Sequence, residues 1–240
     1  MAMGRIHSWE SMGLVDGPGI RTVIFLQGCR LRCRYCHNPD TWELCGGGTL
    51  ESPEETVNRL MRFKPYYGAD GGVTFSGGEP LLQKEFLTEA LALCKSRGIH
   101  TCLDTAGVGC GGYGEILKNT DLVLLDVKHY TPEGYQAVTS RSMDAYEEFL
   151  DTVQSMEVPL WLRHVVVPGL TDGEDHLAGL AEYVKGIRNV KRVELLPYHV
   201  LGVPKYRAMG IPYPLEGVPP MESGALVKWQ ERMNCGLKNG

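Results

Sequence analysis

Short runs of apolar residues recur along the chain, and most of them are followed by a stretch with a helical pattern. Strands that alternate with helices indicate a parallel sheet. The runs are continuous rather than alternating, which is typical of strands buried on both faces beneath helices. The pattern therefore predicts an α/β fold with six strand–helix units. The predicted strands are 22–26, 72–75, 100–103, 122–125, 160–167 and 192–196.

The segments between these runs predict helices, most clearly where capping residues mark an end. Ser52-Pro-Glu-Glu55 offers an N-cap, a proline at the first helical position and a glutamate suited to a capping box. Gly98 is a typical C-terminal cap for the helix before it. No repeat or linker interrupts the series, so one domain over 1–240 is expected, with an N-terminal segment 1–20 and a C-terminal extension of about 205–240. The predicted helices are 53–63, 84–97, 143–156, 174–187 and 221–235.

The length, net charge and hydrophobicity of the chain exclude several classes of protein. A chain of 240 residues can bury one sizeable core. The net charge of −5, without a long basic run, argues against a general nucleic-acid binder. No apolar stretch approaches membrane-spanning length, and the first eight residues lack the apolar core of a signal peptide. We therefore expect no nucleic-acid partner and no membrane span.

The segment Gly28–Pro39 carries three cysteines, Cys29, Cys33 and Cys36, in the spacing C-x3-C-x2-C. Three thiolates can hold three irons of a cubane cluster and leave the fourth iron open, whereas a closed zinc site normally needs four ligands. The spacing favours the open cluster. The alternatives are a zinc loop with His37 as the fourth ligand, or three unrelated buried cysteines. Three cluster thiolates among eight cysteines indicate a reducing compartment, which predicts the cytoplasm.

Polar residues collect where the predicted strands end, and (β/α) barrels carry their chemistry at that position. Asp104, Thr105 and Asp126 place oxygen ligands on two adjacent strand ends, a set that suits a hard cation. The alternative is that the two aspartates pair with Lys128 and Arg163.

These features resemble the glycyl-radical-enzyme activases of the radical S-adenosylmethionine (SAM) superfamily. The cysteine spacing with aromatic Tyr35 before the last cysteine is the superfamily signature, and Gly4–Glu10 and Val15–Arg21 are similar to the N-terminal segment of the activases. The resemblance extends over 4–210. It implies a partial (β/α)6 TIM-like barrel of the radical SAM type, open on one side to admit a large substrate. It also implies SAM and one [4Fe–4S] cluster on the three cysteines as the catalytic centre.

The resemblance further implies a role for each of several strand-end residues. Ser76-Gly-Gly-Glu-Pro80 is similar to the motif whose backbone receives the methionine amino group, and a tight strand-to-helix turn is the alternative. Tyr35 would pack on SAM or simply cover the cluster. The implied SAM-binding residues are Tyr35, His37, Gly77, Gly78, Glu79, Asp126, Lys128, Arg163 and His199. The implied ligands of a monovalent cation beside SAM are Asp104, Thr105 and Asp126.

The same resemblance implies the partner. Asp16 would face the glycine-bearing loop of a glycyl radical enzyme, although an ordinary Asp-Gly turn is the alternative. Many relatives carry a ferredoxin-like insert after the first motif, whereas this chain has only Cys45 between Cys36 and Ser76. The lack of such an insert favours pyruvate formate-lyase as the partner. One position departs from the activase pattern, because Ala106 stands where the pattern has Asn. A flavodoxin- or ferredoxin-like reductant and a monomeric state are also expected.

Two rival functions stay open at this point. One is an activase of another glycyl radical enzyme, which would keep the chemistry and change the partner. The other belongs to a different class: a small iron–sulfur electron carrier or a zinc-binding module without SAM chemistry.

Overall fold

The computed structural model describes residues 2–235 and 237. The chain forms two compact units. The first unit runs to Arg30 and then covers Thr41–Leu125 and Ala145–Pro159, and the second covers Leu31–Asp40, Asp126–Asp144 and the chain from Leu160 onward. The single-domain organisation expected over 1–240 stays a prediction.

Eight strands are found among the described residues, six of them at the predicted positions. The strands are β1 Gly4–Gly13, β2 Arg21–Leu26, β3 Thr49–Glu51, β4 Gly72–Gly77, β5 His100–Thr105, β6 Leu122–Asp126, β7 Leu160–Val166 and β8 Val190–Pro197. In the first unit the order is β3-β1-β2-β4-β5-β6, in which β2, β4, β5 and β6 pair in parallel while β1 pairs antiparallel with both β2 and β3. In the second unit β7 pairs in parallel with β8. The predicted α/β class is confirmed.

Helices connect the parallel strands. They are α1 Pro53–Leu60, α2 Lys84–Ser96, α3 Gly114–Leu117, α4 Pro132–Thr139, α5 Asp144–Ser155, α6 Glu174–Lys185, α7 Val203–Met209 and α8 Val227–Asn234. The capping box at Ser52 is present, since its hydroxyl accepts from the Glu55 amide and the Glu55 carboxylate accepts from the Ser52 amide. No helix within the described residues is long and apolar enough to cross a membrane.

The parallel strands of the first unit are buried on both faces. Consecutive residues, whose side chains point to opposite faces, are buried in each of them: 21–24 in β2, 72–76 in β4, 101–103 in β5 and 122–125 in β6. This agrees with the continuous apolar runs in the sequence. Leu26 lies opposite Gly77 in the β2–β4 register. The segments that leave the carboxyl ends of these two strands are therefore neighbours.

Candidate active site

The start of the cysteine loop is bound to the loop that follows β4. After β2, Gly28 adopts φ +101° and its amide donates to the Thr41 carbonyl at 2.7 Å. The Gly28 carbonyl accepts from the Glu79 amide at 2.8 Å, and the Gly78 amide donates to the Leu26 carbonyl at 2.8 Å. The backbone beside Cys29 is therefore held in place by the Gly-Gly-Glu loop.

Both glycines of that loop lie against other backbone segments. Gly77 has φ +118°, and a Cβ added there would collide with the backbone of Leu26. A Cβ on Gly78 would collide with the Gly28 carbonyl and would lie 3.1 Å from the Thr41 carbonyl oxygen. Glycine is the residue that permits such close approach. The tight turn weighed from the sequence is present here, and a role of these glycines in SAM binding stays a prediction.

Gly78→Ala is expected to reduce cluster content as well as SAM cleavage. The added methyl group displaces Gly28, which precedes Cys29, because neither colliding group is a flexible side-chain end. Iron and sulfide analysis of the reconstituted variant measures the first effect, and 5′-deoxyadenosine formation measures the second. Gly68→Ala is the control, since no atom lies within 4 Å of a Cβ placed at Gly68, although its positive φ adds local strain. Normal iron content in Gly78→Ala would contradict this expectation.

The Glu79 side chain ties the loop to the end of β5. It is 1% exposed and accepts hydrogen bonds from Thr105 Oγ1 at 2.5 Å, the Ala106 amide at 2.9 Å and the Leu81 amide at 3.1 Å. Burial raises the pKa of this carboxyl to about 7, although the hydrogen bonds favour its charged form. In the structure, the Glu79 carboxyl holds the backbone at Leu81 and Ala106 in place. A direct contact between this carboxyl and SAM stays a prediction.

The pKa of Glu79 predicts that stability falls as pH rises. The folded protein binds this proton more tightly than the unfolded chain, whose carboxyl has a pKa of 4.5. The free energy of unfolding should therefore decline by about 3 kcal/mol between pH 4.5 and 7 from this group. Glu79→Gln cannot titrate and should lose this slope. Denaturant unfolding of the apoprotein at several pH values gives the free energy of unfolding against pH for the wild type and for Glu79→Gln. The same pH dependence in both proteins would contradict the raised pKa of Glu79.

Two of the oxygen ligands proposed for a cation, Asp104 and Thr105, have partners within the first unit. Ser76 Oγ donates to Asp104 Oδ2 at 2.7 Å, and Thr105 Oγ1 donates to Glu79. Within the described part of the chain, no three His, Cys, Asp or Glu side chains are arranged to hold a single metal ion. A cubane binds each thiolate to a different iron, so its ligands need not converge on one point. The cation stays a prediction.

In the second unit, the remainder of the cysteine loop is fixed to α4. The Arg32 amide donates to the Thr139 carbonyl at 2.9 Å and the Arg34 amide to the Val138 carbonyl at 3.0 Å. Cys33 lies between them and is buried, and burial raises the pKa of its thiol to about 12. Burial therefore holds this thiol in its neutral form in the metal-free chain, and binding to iron would release its proton.

Tyr35 supplies an observation that fits a bound group. Its side chain is 3% exposed, and its buried hydroxyl makes no hydrogen bond to any residue that the structure describes. Lys128 Nζ lies 5.7 Å from the centre of its ring. Buried polar groups normally have a hydrogen-bond partner, so an orphaned hydroxyl calls for a ligand or an ordered water. The residues here fit a cofactor with polar groups.

Lys128 is paired with Asp126 rather than exposed. Its Nζ lies 2.6 Å from Asp126 Oδ2, and the two side chains are 13% and 25% exposed. Burial disfavours the charged amine, but Asp126 outweighs it and raises the pKa of Lys128 well above its usual value. The other predicted cation, Arg163, contacts Glu194 at 3.3 Å. Of the pairing weighed from the sequence, the Asp126–Lys128 contact is observed.

His37 and His199 stack on each other. Their ring centres are 3.8 Å apart with an 18° interplanar angle, and His37 Nε2 lies 3.2 Å from the His199 carbonyl oxygen. Burial lowers the pKa of His37 to about 4, so the ring is neutral at pH 7. Since a carbonyl only accepts, Nε2 carries the proton. The pair forms a flat neutral surface beside Cys36, which suits an aromatic ligand.

Sequence reasoning missed residues that secure the second half of the cysteine loop. Lys205 on α7 donates to Asn38 Oδ1 at 2.8 Å and to Asp40 Oδ1 at 3.0 Å. A Cβ on Gly202 would lie 2.8 Å from the Cα of His37, so the chain before α7 packs directly on the loop. Lys205 and Gly202 lie in no recognised motif, so the sequence did not mark either residue as part of the site.

Asp16 is half-buried in the first unit. Its carbonyl accepts a hydrogen bond from Thr74 Oγ1 at 2.6 Å, near the middle of β4. Thr74 and Ser76 lie on the same face of β4, because side chains two positions apart in a strand point the same way. Asp16 therefore lies on the face that also carries the Ser76–Asp104 contact. Its role toward a partner stays a prediction.

Known proteins resemble this chain over most of its length. The Radical SAM superfamily matches residues 23–181. A pyruvate formate-lyase-activating enzyme of Clostridium pasteurianum is 57% identical over 223 residues, which is 92% of this chain and 93% of the relative. Another, of Staphylococcus epidermidis, is 44% identical and covers 99% of this chain and 98% of its own.

A solved structure agrees with the sequence relatives. A domain of pyruvate-formate lyase-activating enzyme from Bacteroides vulgatus superposes with a TM-score of 0.54 at 26% identity, over 70% of this chain and 96% of that one. The predicted fold class, the α/β fold of radical SAM enzymes, is thereby confirmed. From the family match and the extent of these identities, the chain belongs to the Radical SAM superfamily and, within it, to the family of pyruvate formate-lyase-activating enzymes.

Proposed function

We propose that this protein removes a hydrogen atom from a backbone glycine of pyruvate formate-lyase and so generates its glycyl radical. The observation that carries the proposal is the 57% identity, over 92% of the chain, with a relative named for activating that enzyme. Membership of the Radical SAM superfamily brings a [4Fe–4S] cluster and SAM as cofactors. When bound and reduced by one electron, they supply a 5′-deoxyadenosyl radical that can abstract hydrogen from carbon.

The contribution of the chain is to bind and orient. Cys29, Cys33 and Cys36 would hold three irons of the cluster as thiolates. Tyr35, with its unmatched buried hydroxyl, and the neutral His37–His199 stack would contact the cofactor. Lys128 and Arg163 would face the carboxylate of SAM or its ribose, each already oriented by an acidic partner. The buried setting of Cys33 and Tyr35 would shield the reduced cluster from solvent and from competing oxidants.

Several finer points belong to the proposal. The one electron that SAM cleavage consumes would come from a flavodoxin- or ferredoxin-like protein. A monomer in the cytoplasm is the expected working form, and a monovalent cation near Asp104, Thr105 and Asp126 is an optional addition.

The test is anaerobic mixing of the reduced, cluster-loaded protein with SAM and pyruvate formate-lyase. We expect a glycyl-radical signal by electron paramagnetic resonance and one 5′-deoxyadenosine for each radical formed. A partner with its radical-bearing glycine replaced by alanine is the control and should give no such signal. SAM cleavage without radical on this partner, but with radical on another glycyl radical enzyme, would correct the partner. Absence of any cleavage would favour the electron carrier or zinc-binding module.

A further inference from the structure

Both backbone groups of Val127, the residue between Asp126 and Lys128, are bound to β7. The Val127 amide donates to the Arg163 carbonyl at 2.8 Å, and the Val127 carbonyl accepts from His164 Nδ1 at 2.7 Å. Val127 and His164 are 1% and 2% exposed, so little water reaches either hydrogen bond. Two consecutive residues of β7 therefore hold the chain immediately after β6.

The hydrogen bond to Val127 fixes the tautomer of His164. Because a carbonyl only accepts, Nδ1 carries the proton and Nε2 is left as an acceptor. His176 Nε2 lies 3.1 Å from His164 Nε2 and therefore donates to it. Burial lowers the pKa of His164 to about 3 and that of His176 to about 4, so both rings are neutral at pH 7. The result is a histidine relay that runs from His176 through His164 to the Val127 carbonyl.

The His176 end of the histidine relay is itself held in place. His176 lies on α6, and its ring centre is 4.8 Å from that of His129 and 5.1 Å from that of Tyr130. His129 Nδ1 accepts from the Thr131 amide at 3.0 Å, which anchors that ring at the start of α4. A Cβ on Gly179 of α6 would collide with the Tyr130 hydroxyl, so the helix packs closely on the segment before α4.

The histidine relay controls how the chain reaches Lys128. The Val127 carbonyl belongs to the same planar peptide unit as the Lys128 amide, so a donor that holds the carbonyl also orients the backbone of Lys128. From that backbone Lys128 Nζ reaches to 2.6 Å from Asp126 Oδ2 and to 5.7 Å from the centre of the Tyr35 ring. The side-chain contacts of Lys128 thus depend on a hydrogen bond made by another residue.

We infer that His164 is a positioning residue for SAM binding: by holding the Val127 carbonyl, it directs Lys128 toward SAM. The inference rests on the proposed function, in which Lys128 faces the carboxylate or the ribose of SAM. It assigns to His164 no contact with SAM or with the cluster.

The test compares His164→Gln with His164→Asn in the cluster-loaded protein. The asparagine amide occupies the position of Nδ1 and keeps a donor for Val127, whereas the glutamine amide reaches the position of Nε2 and leaves the carbonyl without its donor. We expect His164→Gln to raise the dissociation constant of SAM about tenfold, a modest cost for a buried carbonyl that loses its partner. His164→Asn should stay within about threefold of the wild type. Equilibrium dialysis with labelled SAM measures both constants.

Two further measurements separate positioning from a general loss of structure. Iron and sulfide content should stay normal in both variants, because the backbone around Cys33 is held by α4 and not by His164. At saturating SAM, partner-free formation of 5′-deoxyadenosine should lie within about twofold of the wild-type rate, since the lost contact acts on binding. A protein that is merely destabilised would lose cluster and maximal rate together.

Three results would overturn the inference: unchanged SAM affinity in His164→Gln, an equal loss of affinity in His164→Asn, or a loss of iron that parallels the loss of affinity. If His164→Gln does not fold, His176→Phe decides, because phenylalanine keeps a ring beside His129 and removes only the donor to His164. It should raise the dissociation constant of SAM about threefold, and an unchanged constant would overturn the inference as well.

Lys128→Gln separates a failure of this inference from a failure of the proposed function. Weaker SAM binding in Lys128→Gln, beside unchanged binding in His164→Gln, would overturn the role of His164 alone. Unchanged SAM binding in Lys128→Gln would disprove the proposed contact between Lys128 and SAM, and the inference would fall with it.

Discussion

Replacing Cys33 by alanine should abolish both cluster assembly and SAM cleavage. Two remaining thiolates cannot retain a cubane that needs three protein-bound irons, and alanine offers no ligand. Cys29→Ala and Cys36→Ala should have the same effect for the same reason. Iron and sulfide content after anaerobic reconstitution, together with 5′-deoxyadenosine formation, measures both losses.

Cys94 is a matched control for Cys33. Both thiols are buried, and burial raises the pKa of each to about 12, so neither burial nor acidity distinguishes them. Only the C-x3-C-x2-C motif, which contains Cys33 and not Cys94, distinguishes the two thiols. Cys94→Ala should keep its cluster and lose at most about 1–2 kcal/mol of stability from the small cavity. Cys45→Ala, at an exposed position, should be normal in both assays. A Cys94 or Cys45 variant without cluster, beside a Cys33 variant that keeps it, would refute the ligand assignment.

Apolar runs in the sequence were enough to predict the parallel strands but not the others. β1 Gly4–Gly13 was missed because Ile6 is its only fully apolar buried side chain. Its pairing with β2 on one side and β3 on the other, rather than an apolar run of its own, holds it in the sheet. α4 Pro132–Thr139 was also missed, although Thr131 and Pro132 gave a readable N-terminal signal. The predicted helix 221–235 shortens to Val227–Asn234.

For the candidate site, spacing predicted the cysteine loop and strand ends predicted the polar residues, but side-chain partners could not be predicted. Arg163 contacts Glu194 on the neighbouring strand, a pairing set by the β7–β8 register. Glu79 was predicted as part of a ligand-binding motif, and its carboxyl binds the backbone at Ala106. Such long-range hydrogen bonds depend on how strands come together in space, which periodicity does not encode.

Asp16→Ala should slow glycyl-radical formation by about tenfold to a hundredfold and partner-free SAM cleavage far less. The range corresponds to one lost hydrogen bond to a charged group. The substitution leaves in place the backbone carbonyl that accepts from Thr74 Oγ1, so it removes the carboxylate without breaking that hydrogen bond. Asp16→Asn, which keeps the shape and removes the charge, shows how much of the loss is electrostatic. Equal losses in the two assays would mean that Asp16 contributes to SAM binding or to the stability of the fold rather than to contact with the partner.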